Sequence, residues 1–213
     1  MSATQVFGGF FNRIGNIVSN TDQLFEGAFW GSWCGLNVYN WTAARKEKQE
    51  TESLPESDDK AKKLWLANKN YTLSSFSIAS GVSMVTFWME EVKLISLGSL
   101  STFVACLGFG GSSLVSFSKI WDGLCELDQE IKDFFNTDDP RAKKHIALSQ
   151  LETLVKVAVF ACLAAWGVFG ALHAAIGGAA LFLAMDASLY YAFILFLGYI
   201  VTAITVPILK KMT

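Results

Sequence analysis

The stretch "TFWMEEVKLIS", residues 86–96, places Glu90, Glu91 and Lys93 between two long runs without a charged residue. The run before the three charges covers residues 71–89, and the run after them covers residues 94–118. Two further uncharged runs cover residues 157–185 and 187–209. A helix of about 20 apolar residues crosses a hydrocarbon core roughly 30 Å thick. With 19, 25, 29 and 23 residues, each run is long enough to span a membrane.

The composition supports a membrane protein. Of 213 residues, 52% are hydrophobic and 17% are charged, whereas soluble domains are about 25% charged. We therefore predict an all-α integral membrane protein with four transmembrane helices in two antiparallel hairpins. The predicted hairpins cover residues 71–118 and 157–209, and a basic tail follows at 210–213. The run at 71–89 is the least apolar because it contains seven serines and threonines.

The basic residues predict the orientation. Of the 17 lysines and arginines, 16 lie before the first run, between the second and third, or after the fourth, and Lys93 alone lies elsewhere. Because basic residues mark the cytoplasmic side, both termini are predicted on the positive, cytoplasmic or matrix-like side. The segment at Glu90 and Glu91 is then a turn in water or headgroups on the far side. The alternative is a buried acid pair that transfers protons.

Residues 1–44 are predicted to form an amphipathic and aromatic interfacial region. Apolar side chains recur at helical spacing over residues 5–18, and residues 27–44 are uncharged but contain Asn37 and Asn40. Aromatic side chains favour the lipid–water boundary. For residues 5–18, a helix packed against a partner subunit is the alternative to an interfacial helix. The alternative is that 27–44 forms a fifth span, which would move the N-terminus across the membrane. The predicted interface anchors are Phe10, Phe11, Trp30, Trp33, Trp41, Trp65 and Trp88.

Two extramembrane segments have different characters. Residues 45–70 form a polar linker whose first part, "RKEKQETESLPESDDK", is of a composition that is disordered on its own. Residues 119–156 predict an antiparallel helical stalk, with a second helix starting at Asp139 and Pro140. The seam of its first helix docks a partner or packs against the second arm. That predicted seam consists of Ile120, Leu124, Leu127, Ile131 and Phe134.

Small residues in the third run predict close helix packing. We expect this interface to contain Gly167, Gly170, Ala171, Ala174 and Gly178, with tilt or a bend near Gly177 and Gly178. Asp186, between the third and fourth runs, suggests a turn.

The sequence offers no constellation for catalysis. The four cysteines have no C-x-x-C spacing, "GFGGSS" at 108–113 lacks the ending of a phosphate loop, and His173 lacks a second ligand in another run. The serines of the first run step by three and spiral around a helix, so hydrogen bonds to backbone carbonyls suit them better than a pore. We predict no enzyme and no catalytic, cofactor or metal residues; a bound structural lipid fits the composition.

The predicted function is a non-catalytic structural or assembly subunit of a larger membrane complex, such as a respiratory, photosynthetic or ATP synthase complex. The partners are then the lipid bilayer and other membrane subunits, and no nucleic acid is expected because the net charge is −2 without a basic stripe. A membrane-shaping or membrane-contact hairpin protein is one alternative. A small transporter or channel is another.

Overall fold

A computed structural model describes residue 12 and residues 14–16 and 19–212 of the chain. This part contains helices and no β-strand. It divides into two compact units, residues 1–111 and 112–213, and one long helix contributes to both. The helices are α1 (Thr21–Glu52), α2 (Asp58–Glu91), α3 (Ser101–Asn136), α4 (Pro140–Ile176) and α5 (Ala179–Met212), with a short 3₁₀ turn at Gly98–Leu100 before α3.

Three segments in the described chain are long and apolar enough to cross a membrane: Gly98–Asn136, Pro140–Ile176 and Ala179–Lys211. The predicted class, an all-helical multi-pass membrane protein, is therefore supported by three candidate spans. The predicted four-span arrangement is not, because α2 is absent from this set. The many hydroxyl side chains of the 71–89 run lower its hydropathy, which is why it falls below the three others.

In the first unit, α1 packs against α2. The start of the predicted polar linker is helical: α1 continues to Glu52, and the Lys46–Glu50 and Lys48–Glu52 pairs lie at i,i+4 spacing. The helix ends ahead of Pro55. The next helix starts where the Ser57 hydroxyl accepts a hydrogen bond from the Lys60 N–H, which is an ordinary N-cap.

In the second unit, α4 packs against both neighbouring helices. It meets α3 where the Lys156 ammonium contacts the Glu126 carboxylate at 3.2 Å and where the Ser113 hydroxyl donates to the Ala164 carbonyl at 2.8 Å. The predicted start of this helix is confirmed: the Asp139 side chain accepts from the Arg141 N–H, and Pro140 occupies the first helical position.

The turn between α4 and α5 lies nine residues before the position suggested by the charges. Gly177 and Gly178 have φ values of 72° and 109°, a region that side chains rarely adopt, and this pair ends α4. The expected bend is thus a complete break of the helix. The prediction of a turn at Asp186 was wrong, because Asp186 lies within α5 and is exposed there. Backbone conformation at two glycines, and not charge, sets this turn.

Candidate functional site

The α3 segment after residue 118 has one side against α4. Gly123 is buried there, since a Cβ at this position would lie 2.5 Å from Cγ2 of Val157. Close approach of the two backbones therefore requires a residue without a side chain at 123. Of the predicted seam, Ile120, Leu127 and Phe134 are partly buried.

The remaining two seam residues, Leu124 and Ile131, are exposed. They belong to a second apolar row, which we call the α3 stripe. Its members are separated by three or four residues, with Asp128 at the one polar position, so they follow the heptad spacing of a helix that packs against another helix. Trp121 and Phe135 are 67% and 78% exposed, and the other members are also open. The α3 stripe consists of Leu114, Phe117, Trp121, Leu124, Ile131 and Phe135.

Helix α4 contributes two exposed leucines, Leu151 and Leu154. The Lys156–Glu126 pair shows on which side they lie. One side of α3 faces α4. On a wheel of 3.6 residues per turn, Glu126 lies to one edge of that side, and Leu124 and Ile131 lie to the opposite edge. Lys156 and the two leucines occupy opposite flanks of α4 in the same way. Because the two charged side chains meet, the apolar residues of both helices share the other flank.

We call this flank the outer stalk face, and define it as Leu124, Ile131, Phe135, Leu151 and Leu154. It lies outside the uncharged runs, among charged residues that include Asp128, Lys132 and Glu152. Ionised side chains are costly in lipid hydrocarbon, so the charged neighbours of this face disfavour lipid as its cover. Exposed apolar rows rimmed by polar residues are typical of protein-interaction surfaces.

The small-residue row in α4 has a mixed placement. Gly167 and Gly170 are buried, and Ala171 and Ala174 are partly buried. Gly178 is in the turn after α4 and is exposed, so it is not part of a helical packing row.

His173 serves the same turn. Its Nδ1 lies 3.1 Å from the Gly178 carbonyl oxygen, and its ring packs 5.5 Å from the ring of Phe182. Because a carbonyl oxygen only accepts, Nδ1 carries the proton in this bond. The backbone N–H of Gly177 donates to the His173 carbonyl oxygen as well. His173 therefore closes the end of α4 through both its side chain and its backbone.

The predicted interface anchors are only partly at a surface. Trp30 is buried, and the Trp41 indole N–H donates to the Ser75 hydroxyl at 3.1 Å. The Trp88 ring lies against Gly27, so it too packs between α1 and α2. Trp65 is exposed and carries the Lys69 ammonium over its ring, as an interface residue would. Trp33 is partly exposed; Phe10 and Phe11 lie outside the described residues.

Three hydroxyl groups of α2 donate hydrogen bonds to backbone carbonyls, and of the serines that step by three, Ser80 is the one with such a bond among those described. Ser75 and Thr86 donate to carbonyl oxygens four residues earlier in their own helix. Ser80, which is buried, donates to the Gly108 carbonyl at 2.6 Å. These bonds satisfy groups that would otherwise be costly in an apolar setting.

Glu90 has a structural partner that the sequence analysis missed. Its carboxylate accepts from the Leu97 N–H at 3.0 Å, just ahead of the 3₁₀ turn at the start of α3. The Ser101 hydroxyl, and then the N–H groups of Leu97 and Gly98, lower the pKa of this carboxyl. The acid therefore closes the connection between α2 and α3. The sequence contains a signal for this contact, an acid at 90 followed by "GSLS" at 98–101. The seven residues between them made the pairing hard to recognise.

No group of three or more His, Cys, Asp or Glu side chains suited to hold a metal occurs in the part of the chain that the structure describes. The described residues also contain no disulfide. Comparison with protein-family models, curated proteins and solved structures found no match for this chain. The surfaces of the described helices are therefore the basis for a functional proposal.

Proposed function

We propose that this chain is a non-catalytic structural or assembly subunit of a larger membrane complex, of the kind found in respiratory, photosynthetic or ATP-synthesising membranes. The outer stalk face is the observation that carries the proposal. Its occupant is a helix of another membrane subunit, which leaves the bilayer beside α3 and follows the α3 stripe outward.

The heptad spacing supports a helical partner in particular. Rows at alternating steps of three and four residues fit the grooves of an adjacent helix over its whole length. The α3 stripe begins at Leu114 inside an uncharged run and continues to Phe135 among charges. A partner that followed it would be lipid-embedded at one end and in water at the other, which is the situation of a membrane subunit.

The proposed orientation follows the basic residues. The segments at 45–69, 119–156 and 210–211 lie on the cytoplasmic or matrix-like side, and Lys93 lies on the far side. The outer stalk face is then on the positive side. The side of the N-terminus depends on whether α1 crosses the bilayer.

The test is the native mass and composition of the complex after gentle detergent extraction from the source membrane. We expect stoichiometric partner subunits with the unaltered chain. In the double variant Leu124→Glu/Ile131→Lys, two apolar groups of the face become charged, and we expect the partner to be lost with at least a tenfold drop in co-purification.

Gln129→Ala is the matched control, because residue 129 is exposed on the same helix but lies off the outer stalk face. It should retain the partner. A chain that is monomeric or a small homo-oligomer before any substitution would contradict the proposal. Retention of the partner in the double variant would instead show that it binds elsewhere.

A further inference from the structure

Helices α1 and α2 run antiparallel with a register fixed at three positions. A Cβ on Gly27 would clash with the Trp88 ring, the Asn37 amide donates to the Ser77 carbonyl at 3.2 Å, and Trp41 bonds to Ser75. From 27 to 41, α1 advances 14 residues while α2 goes back 13, from 88 to 75. The two helices are therefore level with each other along this length.

This register aligns two uncharged runs. Residues 27–44 contain 18 residues without a charge, and residues 71–89 contain 19. Since Gly27 is level with Trp88, continuing the register places residue 44 level with residue 71 or 72. Each run is about 27 Å long at 1.5 Å per residue, close to the thickness of a hydrocarbon core. Two such runs, matched end to end, are placed to cross a bilayer side by side.

Of the two asparagines in this run, Asn37 faces α2 and Asn40 is exposed. Asn37 is 6% exposed, and its amide bonds to the Ser77 carbonyl. The Trp41 indole N–H is bonded as well. These internal bonds reduce the cost of placing the groups in hydrocarbon. The exposed side chains of α1 include large apolar residues, among them Phe25, Phe29, Leu36, Val38 and Tyr39.

The charges at the ends of the pair match the two faces of a bilayer. At one end, the Arg45 guanidinium lies 5.5 Å from the Trp41 ring centre and the Lys48 ammonium lies 5.1 Å from that of Tyr71. Cations beside aromatic rings suit the headgroup level, where anionic phosphates lie. The other end has acidic residues in sequence, at 22, 26, 90 and 91.

We propose that α1 crosses the bilayer beside α2, with lipid hydrocarbon as the occupant of its exposed apolar face, so that the N-terminus lies on the face opposite the basic segments. This rests on the proposed orientation of α2. It differs from the same-side termini predicted from charge. The charge asymmetry survives the change: 15 of the 17 basic residues remain on the positive side, and Arg13 joins Lys93 on the other.

The experiment uses the full chain with its four native cysteines replaced by alanine. A single new cysteine is then introduced at one position in each variant. The positions are Thr4→Cys before α1, Ser53→Cys between α1 and α2, and Ser96→Cys after α2. The protein is expressed in the inner membrane of bacterial cells. The outer membrane is permeabilised, the inner membrane is left intact, and a membrane-impermeant maleimide is added. We expect labelling at 4 and 96, and at 53 only after the inner membrane is lysed.

The three positions separate the two proposals. If 4 and 53 behave alike while 96 is opposite, α1 does not cross and the inference is overturned, with the crossing of α2 intact. If 53 and 96 behave alike, α2 does not cross, and the orientation under the proposed function fails.

A second variant tests the lipid contact without cysteines. Leu36→Arg puts a charge on the exposed side of α1 near the middle of its run, which is unfavourable only in hydrocarbon. We expect at least a threefold loss of membrane-inserted protein. Leu54→Arg, at an exposed leucine in the connection between α1 and α2, is the matched control and should insert normally. Equal insertion of both variants would overturn the proposal.

Discussion

At the scale of single residues, the described chain uses polar groups to close connections. Glu90 accepts hydrogen bonds from the start of the next helical segment, and His173 closes the end of α4. Both residues had been candidates for chemistry on sequence grounds, as a proton carrier and as a ligand. Their observed bonds give each of them a structural role that needs no reaction.

The Glu90 bonds predict a pH dependence. Because the folded-state pKa lies below the ordinary value of 4.5, the carboxylate contributes stability that is fully present above that value and is lost as the pH falls through the folded pKa. Glu90→Gln should therefore lower the thermal midpoint at pH 7, and the difference from the unaltered chain should shrink as the pH falls below 4.5.

Thermal unfolding in detergent between pH 3 and 7 measures this effect. Asp138→Asn, at an exposed acid before α4, is the control and should change the midpoint little. A deficit in the Glu90→Gln variant that is equal at pH 3 and pH 7 would contradict an electrostatic contribution.

Gly123 gives a second prediction at this scale. Its missing Cβ would meet the stiff, β-branched side chain of Val157. Overpacking of this kind costs about 1–3 kcal/mol, so Gly123→Ala should lower the free energy of unfolding. Gly110→Ala in the same helix has open space around its Cβ and should gain up to about 1 kcal/mol from helix propensity. Denaturant titration of both variants in detergent measures the contrast; equal shifts would refute the close contact.

At the scale of elements, helix boundaries follow backbone chemistry more closely than charge. Asp139 and Pro140 start α4 where the sequence places them, because cap and proline rules act over a few residues. The end of the same helix was not located by its charges. Asp186 lies within α5, and α4 ends earlier, at Gly177 and Gly178, where φ is positive.

The α4–α5 turn is therefore sensitive to a side chain. Gly177→Ala or Gly178→Ala should lower the free energy of unfolding by about 1–3 kcal/mol, because each position has a left-handed φ that a Cβ disfavours. Gly198→Ala, in α5 with open space around it, should be neutral or slightly stabilising. Unfolding titrations in detergent check this, and unchanged stability of both turn variants would exclude the strained conformation.

At the scale of the whole molecule, the two proposals concern different surfaces and should respond separately. The outer stalk face is on α3 and α4, whereas the proposed lipid contact of the N-terminal region is on α1. The Leu124→Glu/Ile131→Lys variant should lose the partner yet keep the maleimide labelling at 4, 53 and 96. Loss of both properties together would indicate a general folding defect, and native mass with labelling on the same sample distinguishes the two outcomes.

The sequence by itself determined the class. Long uncharged runs, segregated basic residues and one helix start, capped by Asp139 and followed by Pro140, require only local composition and spacing. Only the tertiary structure decided which side chains are covered. Leu124 and Leu127 share one predicted seam, yet Leu124 is exposed, because the direction of α4 sets which part of a broad apolar surface is buried. From the sequence, the Asn37 amide is expected to make burial of α1 costly. In the structure the Ser77 carbonyl of the neighbouring helix accepts its hydrogen bond, which lowers that cost. A single helix cannot specify its neighbour, so these contacts depend on how the helices meet.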